Sequence, residues 1–174
     1  MAAIEEIAAK GVAGISIERI SERAGLTRGA FYYNYVSKYS LLADVLFVVS
    51  NSEINLWIKL TEDVEGLDTL FYRFRDSVDK FFNERGLLLV ELEMAARRSH
   101  EFAAYYRDSE RKVQVACERM VAALANKVGV IMDVNLSAAM VSSMASGLAL
   151  RESQIGGLSR GTIMITFLKL LLKI

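Results

Sequence analysis

This 174-residue chain has no proline, a single cysteine, a single histidine and no net charge. Without proline no ring removes a backbone donor or breaks a helix, and long stretches of Ala, Leu, Glu, Arg and Met predict helices from end to end. The lone Cys117 excludes an internal disulfide and fits a reducing, cytoplasmic setting. The lone His100 leaves no His and Cys cluster to hold zinc, so neither a metal nor a cofactor is expected. The most apolar run, residues 163–174, is interrupted by Thr166, Lys169 and Lys173. It falls short of the about 20 apolar residues that span a bilayer, and no membrane partner or secretory leader is expected.

Enzymatic motifs are missing as well. There is no P-loop, HExxH or neighbouring Cys–His pair, and Glu91 and Glu93 fall on opposite sides of a helix. What the chain does have is apolar content: 53% hydrophobic against 24% charged residues makes it globular rather than disordered. Zero net charge does not advertise a nucleic-acid binder, but it conceals a local excess. Between Ser16 and Lys38 four basic residues (Arg19, Arg23, Arg28, Lys38) face two acidic ones (Glu18, Glu22).

Helix signals follow one another along the chain. Residues 1–10 read as a helix with Ile4, Ile7 and Ala8 on one face, stopped by Gly11; nothing before Met1 caps it, and a first turn begun upstream is expected. Ser16 caps a second helix carrying Ile17, Ile20 and Ala24, and Gly25 ends it. Thr27 caps a short third helix with Phe31 and Tyr35 on its inner face. Ser37 caps a fourth, with Leu41, Leu42, Val45, Leu46 and Val49 apolar, continuing to about Leu60. Further helices are expected over residues 66–84 (Leu67, Leu70, Phe71, Phe74, Val78 and Phe81 inside), 87–98 and 99–127, then a connector at 129–135. Ser137 caps the next helix, Gly156-Gly157 breaks it and Ser159 caps the last; no strand pattern is present.

Two short helices joined through Ala-Gly-Leu-Thr are the signature of a helix-turn-helix. Arg28 and Lys38 each follow a helix cap, where a cation opposes the positive end of the helix dipole. A DNA phosphate at those helix starts accounts for both choices. Gly29 and Ala30 leave the front of the third helix nearly bare, so its backbone can approach the major-groove floor. Ala30 then meets a thymine methyl and Arg28 a guanine edge.

The stretch ISIERISERAGLTRGAFYYNYVSKYSLL, residues 15–42, resembles the signature of tetracycline-repressor-type regulators, and the preceding AAIEEIAAKG is similar to the end of that family's first helix. The resemblance implies an all-α protein: a helix-turn-helix domain at 1–46 joined to a helical ligand-binding and dimerisation domain at 47–174. It implies a homodimer that represses from a palindromic operator in double-stranded DNA and is released by a small molecule. The DNA-facing set is then Ser16, Thr27, Arg28, Gly29, Ala30, Tyr32, Tyr33, Asn34 and Lys38, with Tyr32 on phosphate. Tyr35 stands where the family usually has Phe, so its hydroxyl needs a partner; the family's basic arm before the first helix is not present.

In the larger domain, Thr162, Thr166, Lys169 and Lys173 form one narrow polar stripe on an otherwise apolar last helix. The helix before it is rich in small residues (Ala138, Ala139, Ser142, Ser143, Ala145), so both are expected to pair with a partner subunit. Trp57, Met94, Phe102, Tyr106, Met120, Met140 and Met144 are candidates to line a pocket for a small apolar or amphipathic ligand, although each also suits plain core. The competing reading is a helical ligand-binding or adaptor protein of the same fold with little DNA binding.

Overall fold

The structure, a computed structural model, describes residues 1–151 and 154–174. Eight helices run in chain order among these residues: α1 (Ala2–Gly14), α2 (Ile17–Arg23), α3 (Arg28–Asn34), α4 (Lys38–Asp63), α5 (Leu67–Arg98), α6 (His100–Val128), α7 (Val134–Ala149) and α8 (Arg160–Leu172). The all-α class is borne out, with one addition. A two-residue antiparallel pair, β1 (Gln154–Ile155) and β2 (Leu158–Ser159), turns through Gly156 and Gly157, both at positive φ.

The chain divides into two compact units. The first is Met1–Val49 with Leu88–Arg111, and the second is Ser50–Leu87 with Lys112–Ile174. In the first, Ala3, Ile7, Val12, Ile15, Ile20, Phe31, Leu41, Leu42, Val45 and Leu46 are buried together with Leu92 and Phe102. In the second, Leu70, Phe71, Phe74, Val78 and Phe82 of α5 are buried, as are Met120 and Leu124 of α6 and Met164, Leu168 and Leu172 of α8.

Most caps fall where local chemistry put them. Ser16, Thr27, Ser37, Ser99 and Ser159 each accept the backbone N–H three residues on, at 3.1 to 3.3 Å. Gly11 interrupts α1 with φ 67 and ψ 167. The differences from expectation have physical reasons. Leu67–Arg98 form one helix rather than two, because Gly86 is packed against Phe82 while Leu88 and Leu92 continue the buried stripe. Within that helix Phe82, not Phe81, is buried. The cap of α7 is Asp133, whose carboxylate accepts Leu136 N–H at 3.0 Å, and Ser137 is buried inside the helix. Ala8 and Ala24 are exposed; α1 buries Ala3, Glu6 and Ile7, and α2 buries Ile20 and Ser21. By length and composition, α4 rather than the C-terminal run is the one helix among the described residues long and apolar enough to cross a membrane. Its Leu42, Val45, Leu46, Val49 and Ile54 are packed inside the protein.

Candidate nucleic-acid interface

The three short helices at the front of the chain place the candidate residues through local geometry. Gly25, at φ +68, turns the chain out of α2, while the backbone N–H groups of Gly25 and Leu26 donate to the carbonyls of Glu22 and Ser21 at 3.0 and 2.9 Å. Thr27 then opens α3, and its hydroxyl accepts Ala30 N–H at 3.1 Å. Ser37 and Ser40 cap each other reciprocally at 3.2 Å and open α4.

Phe31 points inward and packs edge-on against Tyr32, with centroids 5.3 Å apart, and tilted against Tyr35 at 5.6 Å. The Tyr35 hydroxyl donates to the Asp44 carboxylate at 2.8 Å, which supplies the partner its departure from Phe required. Burial, and then the neighbouring Asp44 carboxylate, push its phenol up to about 12.

The opposite face of α3 is open. Thr27, Arg28, Gly29, Tyr32, Tyr33 and Asn34 are exposed, with Tyr33 at 90%; Ser16, Ala30 and Lys38 are half-buried. Nothing lies within 4 Å of where a Gly29 Cβ would sit except the Thr27 hydroxyl at 3.7 Å, so the front of α3 is free for close approach. Asn34 turns its amide back to the Ala30 carbonyl at 3.0 Å. Two features were not read from the sequence. Val36 stands 75% exposed between Tyr33 and Lys38. Glu18 pairs with Arg28 across the helix-turn-helix at 3.0 Å, while the Arg28 guanidinium lies 5.6 Å from the Tyr32 ring centre. Lys38 lies 5.4 Å from the Tyr39 ring centre. Both cations thus have intramolecular partners at exposed or half-buried sites, where such contacts are weak enough to exchange for a phosphate or a base.

The pocket candidates differ in burial. Phe102 and Tyr106 are buried in the first unit, edge-on at 5.8 Å, with Tyr39 stacked on Phe102 at 5.3 Å. Trp57 and Met120 are buried in the second unit; the Trp57 indole N–H donates to Ser77 Oγ at 3.1 Å, and Ser77 in turn donates to the half-buried Glu53. Burial raises the Glu53 carboxyl above the usual carboxylate range. Met94 and Met140 are exposed and Met144 is half-buried. A groove of about 280 Å³ lies in the first unit, lined by Met1, Ile4, Leu26, Phe31, Leu41 and Val48 among others.

Residues 1–45 match the family profile described as "Bacterial regulatory proteins, tetR family". No curated protein matches the chain. Solved structures share its fold along nearly its whole length. A Rhodococcus sp. protein described as a TetR-family transcriptional regulator superposes with a TM-score of 0.74 at 17% identity, covering 98% of this chain and 94% of its own. Salmonella enterica GusR gives 0.66 at 18% identity, over 99% and 92%. SmeT, the repressor of the Stenotrophomonas maltophilia multidrug efflux pump SmeDEF, gives 0.58 at 21% identity, over 97% and 85%.

Proposed function

We infer that this chain, which carries the tetR-family module in residues 1–45 and the fold of tetR-family regulators along its length, is a DNA-binding transcriptional regulator. The observation that carries the reading is the exposed face of α3, from Arg28 to Tyr33, set between the capped helix starts at Thr27 and Ser37. Backbone N–H groups and cations at two successive helix starts suit phosphates, and the bare Gly29–Ala30 front suits the floor of a major groove. Ser16, Thr27, Tyr32, Tyr33, Asn34 and Lys38 then position the module on the backbone, and Arg28 reads a base.

Replacing Lys38 with Ala weakens binding to every duplex and lowers the slope of log affinity against log salt by about one unit. Replacing Arg28 with Ala instead relaxes preference at particular base pairs, by about ten- to a hundredfold each. Competitive selection from a random duplex pool separates the two. An Arg28→Ala profile identical to the wild type contradicts base readout by that side chain.

The functional division places DNA reading in residues 1–46 and dimerisation and ligand binding in 47–174, in a cytoplasmic homodimer that represses from a palindromic operator. The surface of α7 and α8 supports the dimer. On α7, Leu136 and Met140 are 58% and 42% exposed, with Ser143 and Gly147 on the same face, and Leu150, which caps the helix, is 67% exposed. On α8, Leu170 is 74% exposed, beside half-buried Ile163 and Phe167. These helices pack on each other within one unit and leave an apolar face that a second copy would cover.

Induction acts through α4, one unbroken helix of 26 residues that starts at Lys38. A small apolar or amphipathic ligand in the larger domain tilts this helix and changes the spacing of the two reading heads, which must match half-sites about 34–36 Å apart or a multiple of that. A 100-fold loss of operator affinity then requires operator DNA to weaken ligand binding by the same roughly 100-fold factor. Calorimetric titration of a ligand found by screening, with and without operator, measures this. Equal affinities in the two titrations rule the mechanism out.

A further inference from the structure

The interruption of α1 is held from a distant part of the chain. At Gly11 the backbone leaves helical geometry with φ 67 and ψ 167, and the next residue, buried Val12, begins a fresh turn. A backbone N–H at such a start lacks a helical acceptor, and leaving it unpaired inside the protein is costly. The Glu91 carboxylate on α5 supplies the acceptor: Val12 N–H donates to its Oε2 at 2.8 Å, across 79 residues of sequence. The fit is close, since a Cβ on Gly11 would lie 3.1 Å from the same oxygen. Glycine therefore serves twice here, for the positive φ and for the space the carboxylate occupies.

The surroundings give this contact a consequence. Val12 leads through buried Ile15 into Ser16, the cap of α2, so the position of Val12 sets where α2 starts. Earlier in α1, Glu5 and Glu6 both pair with Arg23 of α2 at 3.3 Å. The module is thus fastened internally by α1 to α2, and α1 is fastened to α5 through Glu91. Leu88 and Leu92, on either side of Glu91, are buried in the same unit and hold that part of α5 in place.

We propose that Glu91 is the positioning residue by which α5 holds the helix-turn-helix, clamping the α1 interruption through hydrogen-bond acceptance at Val12. The functional half of this proposal rests on the DNA-binding reading. The clamp depends on an acceptor at the right reach, not on charge. Gln at position 91 presents a carbonyl oxygen at the same distance and keeps it, and Ala removes it. Glu91 is exposed beyond this contact, so neither change disturbs the core.

The test uses the full-length protein as wild type, Glu91→Gln and Glu91→Ala, after thermal melts establish that all three fold. Amide hydrogen exchange at Val12, followed by NMR without DNA, should quicken about tenfold in Glu91→Ala and stay near wild type in Glu91→Gln. Affinity for a duplex selected by the wild type should fall about tenfold in Glu91→Ala and recover in Glu91→Gln. Unchanged exchange at Val12 in the Ala variant overturns the clamp, and faster exchange with undiminished affinity overturns its role in reading DNA. Loss in the Gln variant equal to that in Ala overturns acceptance as the cause. If the wild type binds no duplex, the DNA-binding reading fails and takes the functional half with it, while the exchange result still decides the clamp by itself.

Discussion

Leu170→Glu is expected to convert the proposed dimer into a folded monomer that has lost most of the proposed operator affinity. Leu170 is 74% exposed, so the isolated subunit tolerates a carboxylate there. In an apolar interface the same carboxylate would be stripped of water, at a cost of about several kcal/mol. A monomer engages one half-site at a time and forgoes the gain of about 10²- to 10⁴-fold that joined sites provide. Sedimentation and gel shift on the same preparation read both effects. A stable dimer with unchanged operator binding would remove α8 from the interface. Leu168, two residues away, is the instructive contrast: at 4% exposure it belongs to the subunit's own core, so Leu168→Glu is expected to unfold the chain and says nothing about dimerisation.

Gly161→Ala is expected to lower stability by about 1–3 kcal/mol or more, and the melting temperature by about 2–4 °C for each of those. Gly161 opens α8 against α5, with its N–H donating to Asp79 Oδ1 at 2.7 Å. A Cβ there would lie 2.8 Å from Asp79 Oδ2 and 2.9 Å from the Arg75 carbonyl carbon, and closer still to the Arg75 oxygen. Two of these three atoms are backbone of a 32-residue helix and cannot rotate away. Gly86→Ala gives the opposite sign. Its Cβ would meet Phe82 and the Ala149 carbonyl at 3.7 to 3.8 Å, an ordinary contact, and the gain in helix propensity is about 0.5–1 kcal/mol. Thermal melts of the two variants should move apart, and a Gly161→Ala melt matching the wild type would contradict the close approach of α8 to α5.

How much of this could be read from the sequence depends on how local the cause is. The caps at Ser16, Thr27, Ser37 and Ser159 involve partners three residues away, and the turn at Gly25 needs only a positive φ, so α2, α3 and the turn between them were legible. Choices between neighbours were not. Asp133 and Ser137 are both good caps, and the earlier one wins because Ser137 is needed inside. Gly86 reads as a stop, but its helix cost of about 1 kcal/mol is outweighed by the buried row of Phe82, Leu88 and Leu92. Contacts across long separations leave no local trace. Nothing in the pattern around Glu91 points to Val12, and nothing around Glu18 singles out Arg28. The ligand candidates were chosen by residue type, and Met and aromatic side chains serve core, surface and pocket alike. Their scatter, from exposed Met94 and Met140 to buried Phe102 and Met120, follows from that.

The central claim is that the exposed face of α3 reads double-stranded DNA, and selection by the full-length protein from a random duplex pool at low salt tests it most directly. The account predicts enrichment of inverted repeats whose half-sites are about 10–10.5 base pairs apart or a multiple of that. It also predicts that affinity for the selected duplex falls with salt at a slope of several units, about 0.9 for each phosphate neutralised. A pool that emerges without a shared motif, bound no better than random duplex and indifferent to salt, would contradict it.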